Sequence, residues 1–142
     1  MNQQAQNQKQ KPSKTDKLKL LYKQAEALND ELPAQLMDKL SIYGQILELL
    51  GGLWAAATKD WKLAEAKRRE AIASHYALNP NGTTKDKEMQ AEMAAAEWRR
   101  KEAEYEAEAL RWKAAYIATQ EQIQILKKKY EHLKEVAKGG VR

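Results

Sequence analysis

The side chains of this chain that could perform catalysis or bind a metal are few. Among its 142 residues there is no Cys, and the only His are His75 and His132. Disulfides, thiolate nucleophiles and thiolate metal centres are therefore excluded. Neither His belongs to a Glu-x-x-His pair, so a di-iron carboxylate bundle lacks its ligands. No His-x-x-x-His occurs to build a zinc site on one helix face. Glu102, Glu104, Glu106 and Glu108 recur at spacing two, which on a helix points them around the axis as solvated decoration rather than towards a shared proton. The only glycine pairs, Gly51-Gly52 and Gly139-Gly140, follow no strand, so neither forms a phosphate-cradling loop. The expectation is a non-enzyme with no metal and no cofactor.

What remains is charge. Lys and Arg number 25 against 20 Asp and Glu, a formal +5. The excess is spread as +1 over residues 1–50, +2 over 51–84 and +2 over 85–142. That is not the profile of a uniformly basic domain. Locally, however, cations cluster beside aromatics: Lys67-Arg68-Arg69, Arg99-Arg100-Lys101 after Trp98, Arg111 and Lys113 around Trp112, and Lys127-Lys128-Lys129 before Tyr130. Cations that track phosphates next to a ring that stacks a base are the ingredients of single-strand nucleic-acid binding. The competing reading is a solvated helix surface with pairs such as Glu65–Arg69 and Glu97–Lys101, and Glu108 beside Lys113.

The elements that must position these residues are helices. Pro (3) and Gly (6) are scarce, Phe is absent, and mean hydropathy is −0.82. No unbroken apolar run approaches the ~18 residues of a membrane span. Met1 to Lys14 is polar and predicts a disordered tail with no secretory signal, consistent with a cytoplasmic protein. Thr15 is a candidate N-cap for a first helix whose stripe is Leu18, Leu21, Tyr22, Ala25 and Leu28, ending near Asn29-Asp30. Pro33 suits the first position of a second helix, in which Leu36, Leu40, Tyr43, Leu47 and Leu50 share one face. Gly51-Gly52 predicts a kink or break, each Gly costing about 1 kcal/mol against Ala in a helix. A third segment carries Trp54, Ala57, Trp61, Ala64, Arg68, Ala71, His75 and Leu78 in steps of three and four. Asn79-Pro80-Asn81-Gly82 is a strong turn signal, and Thr83 or Thr84 can cap the next helix.

The last helix is expected from about Lys85 to Lys138, stopped by Gly139-Gly140. Its seam, from Ala91, Ala95 and Trp98 through Ala109, Trp112 and Tyr116 to Ile123 and Leu126, keeps a strict seven-residue repeat, the mark of a left-handed supercoil with a partner helix. The expected fold is all-α: a long antiparallel, coiled-coil-like helical hairpin over 15–138 with a short N-terminal helix, between polar tails 1–14 and 139–142. Paired positions should sum to about 163, bringing Trp61 near Glu102, Trp54 near Ala109, Trp98 near Glu65, and Arg68 opposite position 95. The two basic triplets then merge with Tyr76 near the turn, giving a candidate nucleic-acid site of Lys67, Arg68, Arg69, Tyr76, Arg99 and Arg100. Two helices leave Leu49, Leu50 and Leu53 incompletely covered, which predicts a homo-oligomer.

The order Lys59-Asp60-Trp61, Lys67-Arg68-Arg69, His75-Tyr76, the Asn79–Gly82 turn, Trp112 and then Ile123 and Leu126 resembles the layout of UvsY-type phage recombination mediators. The resemblance spans roughly residues 36 to 138. It implies a non-enzymatic accessory factor of phage origin that binds single-stranded DNA as a homo-oligomer in the host cytoplasm. Such a factor helps a RecA-like recombinase displace a single-strand-binding protein, with Lys67, Arg68, Arg69, Arg99 and Arg100 on phosphates. Gly51-Gly52 and the Ala/Glu-rich middle depart from that layout. The alternative class is a coiled-coil protein–protein interaction module with no nucleic-acid binding and no membrane partner.

Overall fold

The computed structural model describes residues 11–78 and 81–139, and these are almost wholly helical, with no strand among them. The helices are α1 (Lys14–Glu26), α2 (Pro33–Leu78) and α3 (Thr84–Gly139). The cap of α1 is Ser13 rather than Thr15. The Ser13 hydroxyl accepts from the Asp16 N–H at 3.1 Å and the Asp16 carboxylate accepts from the Ser13 N–H at 3.3 Å, a reciprocal capping box. Two orphan amides are satisfied at once, whereas Thr15 lies too far in to do either. The Asn29 side chain accepts from the Glu31 N–H to shape the connection, and Pro33 opens α2 as expected. Thr83 caps α3 by accepting from the Asp86 N–H. Gly82 takes a positive φ of 128°, open to glycine for want of a Cβ. Asn79 and Pro80 of the expected turn, most of the expected N-terminal tail (residues 1–10), and Gly140 of the expected stop lie outside the described residues.

Gly51-Gly52 does not break the chain: α2 passes through both. The reason is packing. A Cβ on Gly51 would meet the Tyr116 ring at 3.4 Å, so the glycine lets the ring lie against the helix backbone, and tertiary contact outweighs the propensity cost. The expected four helical segments are therefore three.

By its contacts the chain divides into two compact units, one of residues 1–49 with 119–142 and the other of residues 50–118. In the first, Leu18 and Ala25 of α1, Leu36 and Ile46 of α2, and Thr119 and Leu126 of α3 are buried. Lys39 pairs with Asp30, and Lys129 pairs with Glu31 at 2.7 Å, tying the α1–α2 connection to the end of α3. In the second, Leu50 and five alanines, Ala57, Ala64, Ala91, Ala95 and Ala109, are buried, while Trp54, Trp61, Trp98 and Trp112 are half-buried at the sides. Of the expected seam, alanine forms the floor and the tryptophans the walls, while its members Leu78 and Tyr105 are exposed.

Within the second unit the contacts run from Trp54 with Tyr116 (ring centroids 5.5 Å apart), through Arg68 with Glu102, to His75 with Gln90. The number on α3 falls as that on α2 rises, so these two segments run in opposite directions. His75 with Gln90 and the groove neighbours Asp60 and Glu104 lie close to the expected sum of 163, but two contacts differ from it: Glu102 meets Arg68 rather than Trp61, and Trp54 meets Tyr116 rather than Ala109. Helical side chains lean towards their own N-terminus, so a contact is made by residues numbered higher on both helices than the backbone positions that face each other. Long side chains such as Arg68 and Tyr116 carry the offset furthest.

An 18-residue window of α2 reaches a mean hydropathy of 1.2 with 17% of it buried, which by length and composition is apolar enough to cross a membrane. The sequence expectation counted unbroken apolar runs and so passed over it. In each unit α2 packs on α3.

Candidate functional site

The six residues expected to bind nucleic acid are placed on two helices of the unit 50–118, and what surrounds most of them is carboxylate. Arg68 Nε donates to Glu102 at 2.6 Å, with both side chains about four-fifths buried. Arg69 pairs with Glu65 at 2.7 Å, Lys67 with Glu70 at 3.5 Å, and Arg99 with Glu92 at 2.7 Å. Arg100 is exposed and makes no ion pair among the described residues, and Tyr76 is exposed. The structure does bring the triplets together in part. Arg68 and Arg99 line one shallow concavity, but Glu102 and Glu106 line it with them. Two positive and two negative charges make a neutral patch. The whole unit holds twelve basic against eleven acidic residues.

The local reason is helix geometry. Carboxylates three, four and seven residues from each cation share its face, so the Glu-rich background that looked like decoration is the counter-charge. The expected pairs Glu65–Arg69 and Glu97–Lys101 are present. Glu108 instead takes Arg111 and the Trp112 indole N–H, at 2.7 and 2.9 Å, and not Lys113. Glu65 lies between Lys62 and Arg69, and its carboxyl is held below its ordinary 4.5. The hydrogen bond from Lys62 is the main cause; the charges of Lys62, Arg69 and Arg68 add to it and desolvation opposes it. In the other unit Lys129 is raised above 10.5 by the hydrogen bond its ammonium donates to Glu31.

The aromatics hold cations too. Lys62 lies 4.3 Å from the Trp61 ring centre, Lys101 4.6 Å from Trp98, and Arg111 4.9 Å from Trp112. Each of these half-buried rings thus has a cation over one face. An open groove of about 440 Å³ is lined by Leu53, Ala57 and Trp112 and by the carboxylates of Asp60, Glu104 and Glu108. No cluster of metal-ligating residues occurs among the described residues.

What the sequence reading missed is a second row on α3. Met89, Met93, Leu110 and Ile117 are exposed by 59, 76, 53 and 43%. With the exposed Ala96, Ala103, Ala107 and Ala114 they repeat in steps of four and three, interrupted at Arg100. The signal was legible as a second heptad phase two residues before the seam, masked because both phases are rich in alanine. Comparison with known proteins adds nothing to this geometry: no family model, no curated protein and no solved structure matches the chain.

Proposed function

We propose that this protein is a non-enzymatic protein–protein interaction module of the cytoplasm, a coiled-coil-like antiparallel helical hairpin that self-associates and docks partners along its outer helix faces. The observation that supports this best is the leftover apolar surface. Alanine already closes the seam of the unit 50–118, yet large side chains such as Leu63, Leu78, Met93 and Leu110 stand in solvent. Exposed rows of that kind are the ordinary means of helix association.

A second reading, single-stranded-DNA binding in the manner of the mediators the sequence resembles, is favoured by one feature, the convergence of Arg68 and Arg99 beside the unpaired Arg100. It requires Lys67, Arg68, Arg69 and Arg99 to exchange carboxylates for phosphates, an exchange that is easy for the exposed pairs, each worth about 0–1 kcal/mol. Its partners would be a RecA-like recombinase and a single-strand-binding protein. Fluorescence anisotropy with single- and double-stranded oligonucleotides across a salt series, run beside light scattering, separates the two. The interaction module gives an oligomer of salt-insensitive mass and no oligonucleotide binding at ~150 mM salt. Binding that falls steeply with salt and is lost when Lys67, Arg68 and Arg69 become Ala supports the DNA reading.

A further inference from the structure

We propose that the exposed row on α3 is a self-docking face: two copies of this chain pair antiparallel along α3, with Ala107 of one facing Leu110 of the other. This deepens the interaction-module reading and rests on it. The face is apolar where a seam must be, with Leu110 and Ile117 standing above Ala103, Ala107 and Ala114, all exposed. Alanines let helix axes approach to about 8 Å, and each Leu110 then enters the hole over Ala107 of the second copy.

Charge chooses the occupant, the direction and the register. The seam is flanked on one side by Glu97, Glu104 and Arg111 and on the other by Arg99, Glu106 and Lys113. Glu104, Glu106 and Lys113 make no ion pair among the described residues, and Arg111 is held by its half-buried neighbour Glu108 and lies over the Trp112 ring. In an antiparallel pair each flank meets its own copy. Centred between Ala107 and Leu110, Glu104 meets Arg111 of the second copy and Glu106 meets Lys113 of the second copy, each twice by symmetry. Shifting one heptad towards the N-terminus sets Glu104 against Glu104 and Arg99 against Lys113. Shifting one heptad the other way sets Arg111 against Arg111 and Lys113 against Lys113. An in-register parallel pair sets Arg99 beside Glu104 and Glu106 beside Arg111, but it also places Arg100 on Arg100 in the seam and Glu92 beside Glu97. Of the four, only the centred antiparallel one brings no like charges together along these flanks, and in it Arg100 lays its aliphatic stem against Ile117 of the second copy.

The test uses the full chain. Light scattering should give twice the 16.3 kDa chain mass. Leu110→Glu should give a monomer with unchanged helicity, since the side chain is already half in solvent. Glu104→Lys with Glu106→Lys should weaken the dimer by about tenfold or more, and adding Arg111→Glu with Lys113→Glu should restore it. Because the chain has no Cys, direction can be read by single cysteines. Ala103→Cys mixed with Ala114→Cys should form a disulfide-linked heterodimer under mild oxidation, while Ala103→Cys alone should not link, its two thiols lying about 16 Å apart along the axis. A monomer at every concentration overturns both this inference and the self-association it rests on. A dimer that Leu110→Glu leaves intact, or Ala103→Cys linking to itself, overturns the face or the direction alone and leaves the module reading standing.

Discussion

At the scale of single residues the decisive pairing is Arg68 with Glu102. Both groups are largely withdrawn from water, so removing one partner leaves the other poorly solvated. Glu102→Gln should destabilise the protein by about 1–2 kcal/mol, more than the loss of an exposed pair such as Lys67–Glu70. Chemical denaturation of both variants checks this, and equal losses would mean that Arg68 is in effect solvated. Glu65 supplies a pH test. Its carboxyl is depressed in the folded state, so its contribution is complete above 4.5 and is lost as pH falls from there towards the lower folded value. Melting followed between pH 6 and pH 3 should show a downward step that Glu65→Gln flattens. Lys129 has the opposite sign: raised above 10.5, it contributes fully below that value and the contribution fades as pH rises through the folded value. Acid loss that Glu65→Gln leaves untouched would assign the step to other carboxylates.

At the scale of elements, α2 carries glycines inside a continuous helix, and their surroundings predict different responses. Nothing lies within 4 Å of a Cβ built on Gly44, whereas one on Gly51 meets Tyr116 at 3.4 Å. Gly44→Ala should stabilise by about 1 kcal/mol through helix propensity alone. Gly51→Ala should gain less, and Gly51→Leu should lower the melting temperature because the Tyr116 ring has to move. If Gly51→Leu melts like the parent, the ring is not what keeps that position small. At the start of α1, Ser13→Ala removes one half of the capping box and should cost about 1 kcal/mol of helix stability, read as fraying of residues 14–17 in amide hydrogen exchange.

For the whole molecule the expectation is mass action. If association through α3 is part of the native state, the melting temperature rises with protein concentration, and Leu110→Glu abolishes that dependence. Added salt should shift this midpoint only modestly, because the seam is apolar and only its flanks are charged. A concentration-independent melt in the parent would argue for a monomer.

All-helical character, the seams of both long helices, Pro33 as a helix start and Thr83 as a cap were legible from spacing alone, because a 3.6-residue period and a short capping side chain are local properties. The two basic triplets were visible as well, and so was part of their neutralisation, since Glu65–Arg69 and Glu97–Lys101 follow from spacing within one helix. The Arg68–Glu102 pair was not, because it crosses from α2 to α3 and depends on their register and on the lean of long side chains, neither of which spacing along one chain reports. The same holds for Gly51-Gly52, read as a kink or break by propensity and continuous within α2, where the Tyr116 ring packs beside Gly51. The seven-residue repeat thus determined by itself that these helices have an apolar inner face. Only the tertiary structure decided that alanine forms most of the buried face of the unit 50–118, that Arg68 is paired across the helices with Glu102, and that a second apolar row on α3 is left in water, since burial is a property of the neighbours a side chain meets and not of its place in the sequence.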